Sequence, residues 1–195
     1  MKTGPRHRLL NAAGAAALLV AAALVWNLLP TKMQTWAPIT VEAAMGERAQ
    51  GRDLAVTVHT VESARSITFS QGGTPVQVPA KAVWLVIDLT YEPLVSANPR
   101  PTFELVTDGG RVYTTYLGSL GNDGVFESAG VPHRGVVAFE LPAVPVQAEL
   151  TVANKAEDRY ENSLDAPLDS KIVVPLDLSK VTVADTVDLD AMGRT

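Results

Sequence analysis

The sequence predicts an all-β fold: an immunoglobulin-like β-sandwich preceded by one N-terminal transmembrane helix. Three observations carry that prediction. Residues 9–29, LLNAAGAAALLVAAALVWNLL, contain no charge. From Asp53 onward, apolar residues recur with a period of two, the pattern of half-buried strands. No convincing amphipathic helix interrupts those strands, and two sheets with one apolar face each must cover one another.

The apolar stretch is long enough to span a bilayer. Its 21 residues rise roughly 31 Å as a helix, against a hydrocarbon core of about 30 Å. Every backbone polar group in such a helix is satisfied internally, as lipid requires. Eight of the residues are alanine and contribute little, so seven leucines, Val20, Val25 and Trp26 supply the driving force. Lys2, Arg6 and Arg8 precede the stretch and only Lys32 follows it closely. The positive-inside rule therefore places residues 1–8 in the cytoplasm and the remaining chain outside the cell membrane. A cleaved signal peptide is the alternative. Its apolar region usually runs about 7–15 residues before a small-residue cleavage site. Trp26-Asn27-Leu28-Leu29-Pro30 is not such a site, and Val41-Glu42-Ala43 lies too far downstream. With no cysteine there is no lipid-attachment site either. An uncleaved single-pass signal-anchor is the expectation. Ala13, Ala17 and Ala21 form a small-residue row, which the abundance of alanine explains.

Residues 30–51 read as a tether, with Pro30, Pro38 and Gly46 and no sustained period, although 41–45 could form a short turn or strand. About 20 such residues give a root-mean-square reach of roughly 25 Å. Residues 52–178 then form the sandwich. Leu54, Val56 and Val58 alternate with Ala55, Thr57 and His59. Ile67 and Phe69 face Val76 and Val78 across Gln71-Gly72-Gly73-Thr74, a hairpin in which glycine supplies positive φ. Residues 82–91 form the strongest strand, with Val83, Leu85, Ile87, Leu89 and Tyr91 inward and Asp88 and Thr90 outward. Pro93 ends it, and residues 98–101 make an exposed connection. A second hairpin joins 103–107 to 111–116 through Asp108-Gly109-Gly110.

Residues 117–132 read as a long loop. Val137, Phe139 and Leu141 point inward from the next strand, and Val146, Ala148, Leu150 and Val152 from the one after. Residues 155–170 are polar and read as a loop. Ile172, Val174, Leu176 and Leu178 make the last strand, with Pro175 on its other face marking an edge. The acidic tail, 179–195, alternates weakly and is either ragged or an extra strand on an edge.

Charge excludes one class of partner. From residue 46 onward there are 12 Lys+Arg against 20 Asp+Glu, a formal −8, so nucleic acid is repelled. Solubility outside the membrane explains the acidity. Zero cysteines mean that burial and sheet hydrogen bonds hold the fold without a disulfide.

Residues 80–178 carry a resemblance, which covers about half the chain. Ala82-Val83-Trp84-Leu85-Val86-Ile87-Asp88-Leu89-Thr90 resembles a long early strand. Phe103-Glu104-Leu105 through Gly110-Arg111-Val112-Tyr113 resembles a hairpin of the form f-x-L-x-d-x-x-G-x-x-y. Ala129 to Pro142 resembles a glycine turn followed by g-x-v-x-F-e-v-P. Together they are similar to a widespread bacterial family of exported immunoglobulin-like domains of unknown function. The secreted immunoprotective antigen of mycobacteria belongs to the same fold group. Tyr91-Glu92-Pro93 departs from the asparagine that often ends the family's long strand. The resemblance implies export and lipid or helix anchoring. It implies no activity, because fold does not dictate function.

The sequence offers no catalytic, cofactor-binding or metal-binding residue. His7 belongs to the basic start, and His59 and His133 read as surface histidines without a second ligand at metal spacing. Gly118-Ser119-Leu120-Gly121 lacks the spacing and setting of a nucleophile elbow. Asn122-Asp123-Gly124 with Glu127, and Asp185, Asp188 and Asp190, do not reproduce a calcium loop. Glu140 and Glu149, expected outward on neighbouring strands, lack the aromatic cleft of a glycoside hydrolase. Trp84 and Val86 fall on the face opposite Leu85 and Ile87. Left open, that face would be a contact surface, but a second layer or the tail is expected to cover it. The expected function is therefore not enzymatic: a membrane-anchored interaction or accessory subunit of an envelope complex, binding another envelope protein and no cofactor. The rival is an exported small-ligand or metal-binding protein using His59, His133 and the acids.

Overall fold

The computed structural model describes residues 5–29, 38–95, 101–115, 117–118, 129–154 and 170–192. The chain divides into two compact units, 1–37 and 38–195. The first contains helix α1, Pro5–Leu28, which begins at the basic residues and continues through the alanine- and leucine-rich stretch. Among the described residues no helix is long and apolar enough to cross a membrane. The side chains of α1 are described from Ala13 onward.

The second unit is a two-sheet β-sandwich. Its strands are β1 (Ile39–Glu42), β2 (Ala49–Gln50), β3 (Leu54–Gln71), β4 (Thr74–Pro93), β5 (Pro101–Thr107), β6 (Val112–Thr114), β7 (Leu117–Gly118), β8 (His133–Leu141), β9 (Gln147–Asn154), β10 (Ser170–Asp177) and β11 (Val183–Asp188). One sheet runs β1-β10-β9-β5-β6, and the other β11-β3-β4-β8-β7 with β2 also on β3. The chain then makes one short helical turn, α2 (Leu189–Met192).

The period-two residues form the core between the sheets. Val83, Leu85, Ile87, Leu89 and Tyr91 from β4 meet Val137, Phe139 and Leu141 from β8. Leu105, Leu150, Val152, Ile172, Val174 and Leu176 close from the opposite sheet. Val146 departs from the expected pattern: it lies before β9 and is exposed.

The β3–β4 hairpin turns at Gly72 and Gly73, both with positive φ, as a two-residue connection requires. Ile67 pairs with Val78 and Phe69 with Val76, in the register read from the sequence. A register shift between Ala64 and Ser66 changes what those residues do. Ala64 pairs with Trp84 but Ser66 with Pro79, and an odd offset of this kind exchanges the two faces of a strand. Ile67 and Phe69 consequently join Ala64, Trp84 and Val86 in a second apolar cluster, separate from the core between the sheets.

Several expectations are corrected by long-range pairing. Residues 39–42, within the stretch read as tether, form β1 and pair in parallel with β10. That makes β10 an inner strand over 170–173. Pro175 lies beyond the last β1 pair, so its missing N–H falls where β10 is locally uncovered. The tail supplies β11, which pairs in parallel with β3 from Val183↔Ser63 to Asp188↔Thr68. Most of the 155–170 loop, Trp36, and much of the 117–132 loop with Ser119, Asn122, Asp123, Gly124 and Glu127 lie outside the described residues.

Candidate functional site

The outer face of the six-stranded sheet is the part of the sandwich with the most chemistry. On β4 the face away from the main core presents Trp84, Val86, Asp88 and Thr90 in order. Its first half is apolar and covered. Trp84 is 1% exposed, packed with Val136, Ala138, Val187 and Leu189, and its Nε1–H donates to the Val78 carbonyl at 3.1 Å. The expected cover over Trp84 is thus present and comes from both the hairpin tip and the tail.

The second half of the face is polar. Asp88 points away from the main core as expected, yet it is buried rather than solvated. Arg134 on β8 donates to it twice, Nε to Oδ1 at 3.2 Å and Nη2 to Oδ2 at 2.7 Å. This side-on fork is the geometry in which guanidinium and carboxylate match best. The hydrogen bond that Arg134 donates to Asp88 raises the guanidinium above its ordinary value. No sequence pattern signals the pair, because the two residues lie 46 positions apart on adjacent strands.

Around this ion pair opens a groove of about 460 Å³. Thr60 and Glu62 of β3 form one wall, and Thr186, Asp188 and Met192 of the tail form the other. His59, on the same polar side, shares a 2.8 Å hydrogen bond with Thr90. No carboxylate bonds its other ring nitrogen among the described residues, so the pair lacks the orienting third member of a nucleophile–base arrangement. His133 pairs in register with Tyr91 at the start of β8. Among the described residues no group of three or more acids or histidines is placed to hold a metal ion.

Glu140 and Glu149 are a correction. Glu140 lies on β8 and Glu149 on β9, which belong to different sheets. Glu140 accepts from the Lys81 amide at 2.7 Å, and Glu149 pairs in register with Val106 and Pro175. Consecutive strands in sequence are here divided between the two layers, which separates the carboxylates.

A buried polar chain lies elsewhere in the sandwich. The Tyr91 phenol donates to Asn154 Oδ1 at 2.6 Å, and Asn154 Nδ2 donates to Asp53 Oδ2 at 2.5 Å. Nearby, the Arg52 amide donates to Ser170 Oγ at 2.5 Å. A Cβ at Gly51 would overlap Ser170, so the chain passes there only as glycine. This network ties three strands and the entry to β3 together, and it opens onto no described groove. Its role is structural.

Burial, followed by the Asp53 charge, pushes the Tyr91 phenol well above its usual value, although the Asn154 hydrogen bond pulls the other way. The unfolded chain ionises this phenol near pH 10, roughly, while the folded chain keeps its proton. Stability is therefore lost as pH rises above that value, by at most about 1.4 kcal/mol per pH unit from this group. Tyr91→Phe is expected to cost about 1–3 kcal/mol at pH 8, because a buried amide oxygen loses its donor. It should also flatten the alkaline decline. Denaturant titrations at pH 8 and 10.5 check both, and equal pH slopes for the two proteins would contradict the assignment.

Comparison with protein-family models and with curated proteins gives no match. Two solved structures are similar. One is an uncharacterised β-sandwich protein from Clostridium difficile, at 11% identity and a TM-score of 0.39, covering 76% of this chain and 99% of that one. The other is MPT63, a secreted protein from Mycobacterium tuberculosis, at 14% identity and a TM-score of 0.43, covering 71% and 98%.

Proposed function

We propose that this chain is a membrane-anchored, extracytoplasmic module that serves as a non-catalytic interaction or accessory subunit of an envelope complex. The surface of α1 carries the reading. Leu18, Leu19, Val20, Leu24, Val25 and Trp26 are each more than half exposed and fall on every side of the helix. A helix apolar all round belongs inside protein or inside lipid. The uncharged residues 9–29 would rise roughly 31 Å as a continuous helix, against a hydrocarbon core of about 30 Å, with basic residues before them.

The charge distribution supports the orientation. Basic residues precede the helix, and the acidic sandwich follows it. The eight residues 30–37 can reach no more than about 28 Å even when fully extended, which suits a partner resident in or at the membrane. A second reading, small-ligand binding, is favoured by the groove over Asp88 and Arg134. Its volume falls within the range of about 300–1,000 Å³ common to small-molecule sites.

Crosslinking of the full chain in intact cells tests the proposal. One membrane-associated partner should be captured repeatedly. Recovery of the chain only as an uncrosslinked monomer would remove the interaction reading and leave the groove as the better lead.

A further inference from the structure

Residues 183–192, β11 and α2, cover the Trp84 face without belonging to the core between the sheets. We infer that they form a releasable strap, which opens as one unit while the sandwich stays folded and thereby uncovers Trp84.

The strap's burial is slight. Of the six β11 residues only Val187 is buried, and α2 adds Leu189. No side chain of the strap enters the main core, whose last buried member is Leu178. β11 ends its sheet, and β3 is its sole strand neighbour among the described residues. Opening therefore costs a single ladder, two buried aliphatic side chains and the part-buried Met192, and it leaves every layer of the main core in place.

Hydroxyls do most of the remaining holding. Ser63 Oγ donates to the Thr182 carbonyl at 3.1 Å, and Ser66 Oγ donates to the Asp185 carbonyl at 3.0 Å while meeting Thr186 Oγ1 at 2.8 Å. The Ser70 amide donates to Asp190 Oδ2 at 2.9 Å. Ser63 and Ser66 are buried under the strap, yet such bonds contribute little net free energy, because water replaces them on release. Segments with few buried apolar contacts and exposed backbone bonds open well below the global unfolding free energy. Beneath the strap the balance is different. Trp84, Val86, Ile67 and Ala138 are 0–1% exposed, so release presents a contiguous apolar surface. It also dismantles the groove, since Thr186, Asp188 and Met192 form one of its walls.

Residues 179–182 are the hinge. They carry the chain from β10 in one sheet to β11 in the other, and Val181 stays packed against the main core. Release thus begins beyond Val181. It needs no membrane and no partner, so its failure would leave the proposed function untouched.

Hydrogen exchange on the full-length chain tests the strap. Amides of residues 184–191 should exchange at least about 100-fold faster than those of 85–89 and 137–141, with one shared dependence on urea. Because the chain has no cysteine, Ser66→Cys with Thr186→Cys provides a specific lock at facing positions of the β3–β11 ladder. Oxidation should slow the strap amides to within about tenfold of the core, and reduction should restore them. Asp190→Ala should speed the strap and leave the core unchanged. Equal rates for strap and core in the unaltered chain, or strap rates independent of urea, overturn the proposal even if the cysteine variant does not fold.

Discussion

Trp84→Ala is expected to lower the unfolding free energy by about 3–5 kcal/mol, the loss typical of deleting a large buried aromatic. That is a substantial part of the roughly 5–15 kcal/mol that holds an ordinary domain. The size of the effect is what makes it informative. Trp84 faces away from the core between the sheets, so a plain two-layer sandwich predicts a nearly neutral substitution there. The second cluster predicts the opposite, because Ala64, Ile67, Val86, Ala138, Val187 and Leu189 are assembled around the indole. Trp84→Phe separates two contributions: it keeps most of the volume but leaves the Val78 carbonyl without the indole donor. That change should cost about 1–3 kcal/mol. Urea titration gives both numbers, and a Trp84→Ala loss under about 1 kcal/mol would show that the face is not a core.

The second large effect concerns location. The full chain should stay in the membrane fraction through an alkaline carbonate wash, and a chain starting at residue 30 should move entirely to the soluble fraction. A single Leu19→Arg substitution places a charge near the middle of the apolar stretch, where insertion scales assign a penalty of about 2.5–3.5 kcal/mol. It should reduce membrane retention without altering the sandwich. Mass analysis of the mature chain is the direct check. Loss of the first 30–45 residues would make the protein secreted, whereas an intact N-terminus supports the anchor.

The outer face of β4 is where sequence and structure part most clearly. Alternation along residues 83–91 assigns the side chains to the correct faces, since a strand has only two. It assigns no environment to the outward ones. Thr90 bonds His59, Asp88 is buried beneath Arg134, and Trp84 is buried beneath the tail. Three outward residues on one strand thus meet three different surroundings. The difference comes from segments far away in sequence: residues 133–141 supply the arginine, and residues 183–192 supply the cover.

The same limit explains the other corrections. Glu140 and Glu149 look like neighbours because their strands are consecutive, but the connection between β8 and β9 changes sheets. Ile67 and Phe69 pair as the hairpin signal indicates, while a three-residue register shift between Ala64 and Ser66 turns them to the other face. Residues 39–42 look like linker because a four-residue segment is too short to establish a period. Their strand character comes from pairing with β10, not from their own pattern.

What the sequence determined by itself is local: an uncharged apolar stretch, strand after strand with a period of two, and glycine pairs where a hairpin demands positive φ. Those properties arise between residues a few positions apart, so they are legible in order along the chain. Tertiary structure alone decided which strands share a sheet, which face of β3 its tip presents, and what covers Trp84 and Asp88. Each of those depends on pairing between separate strands, from Ser66↔Pro79 within one hairpin to Thr186↔Ser66 across most of the domain. An alternating pattern establishes that a face exists, but only the packed fold establishes what lies against it.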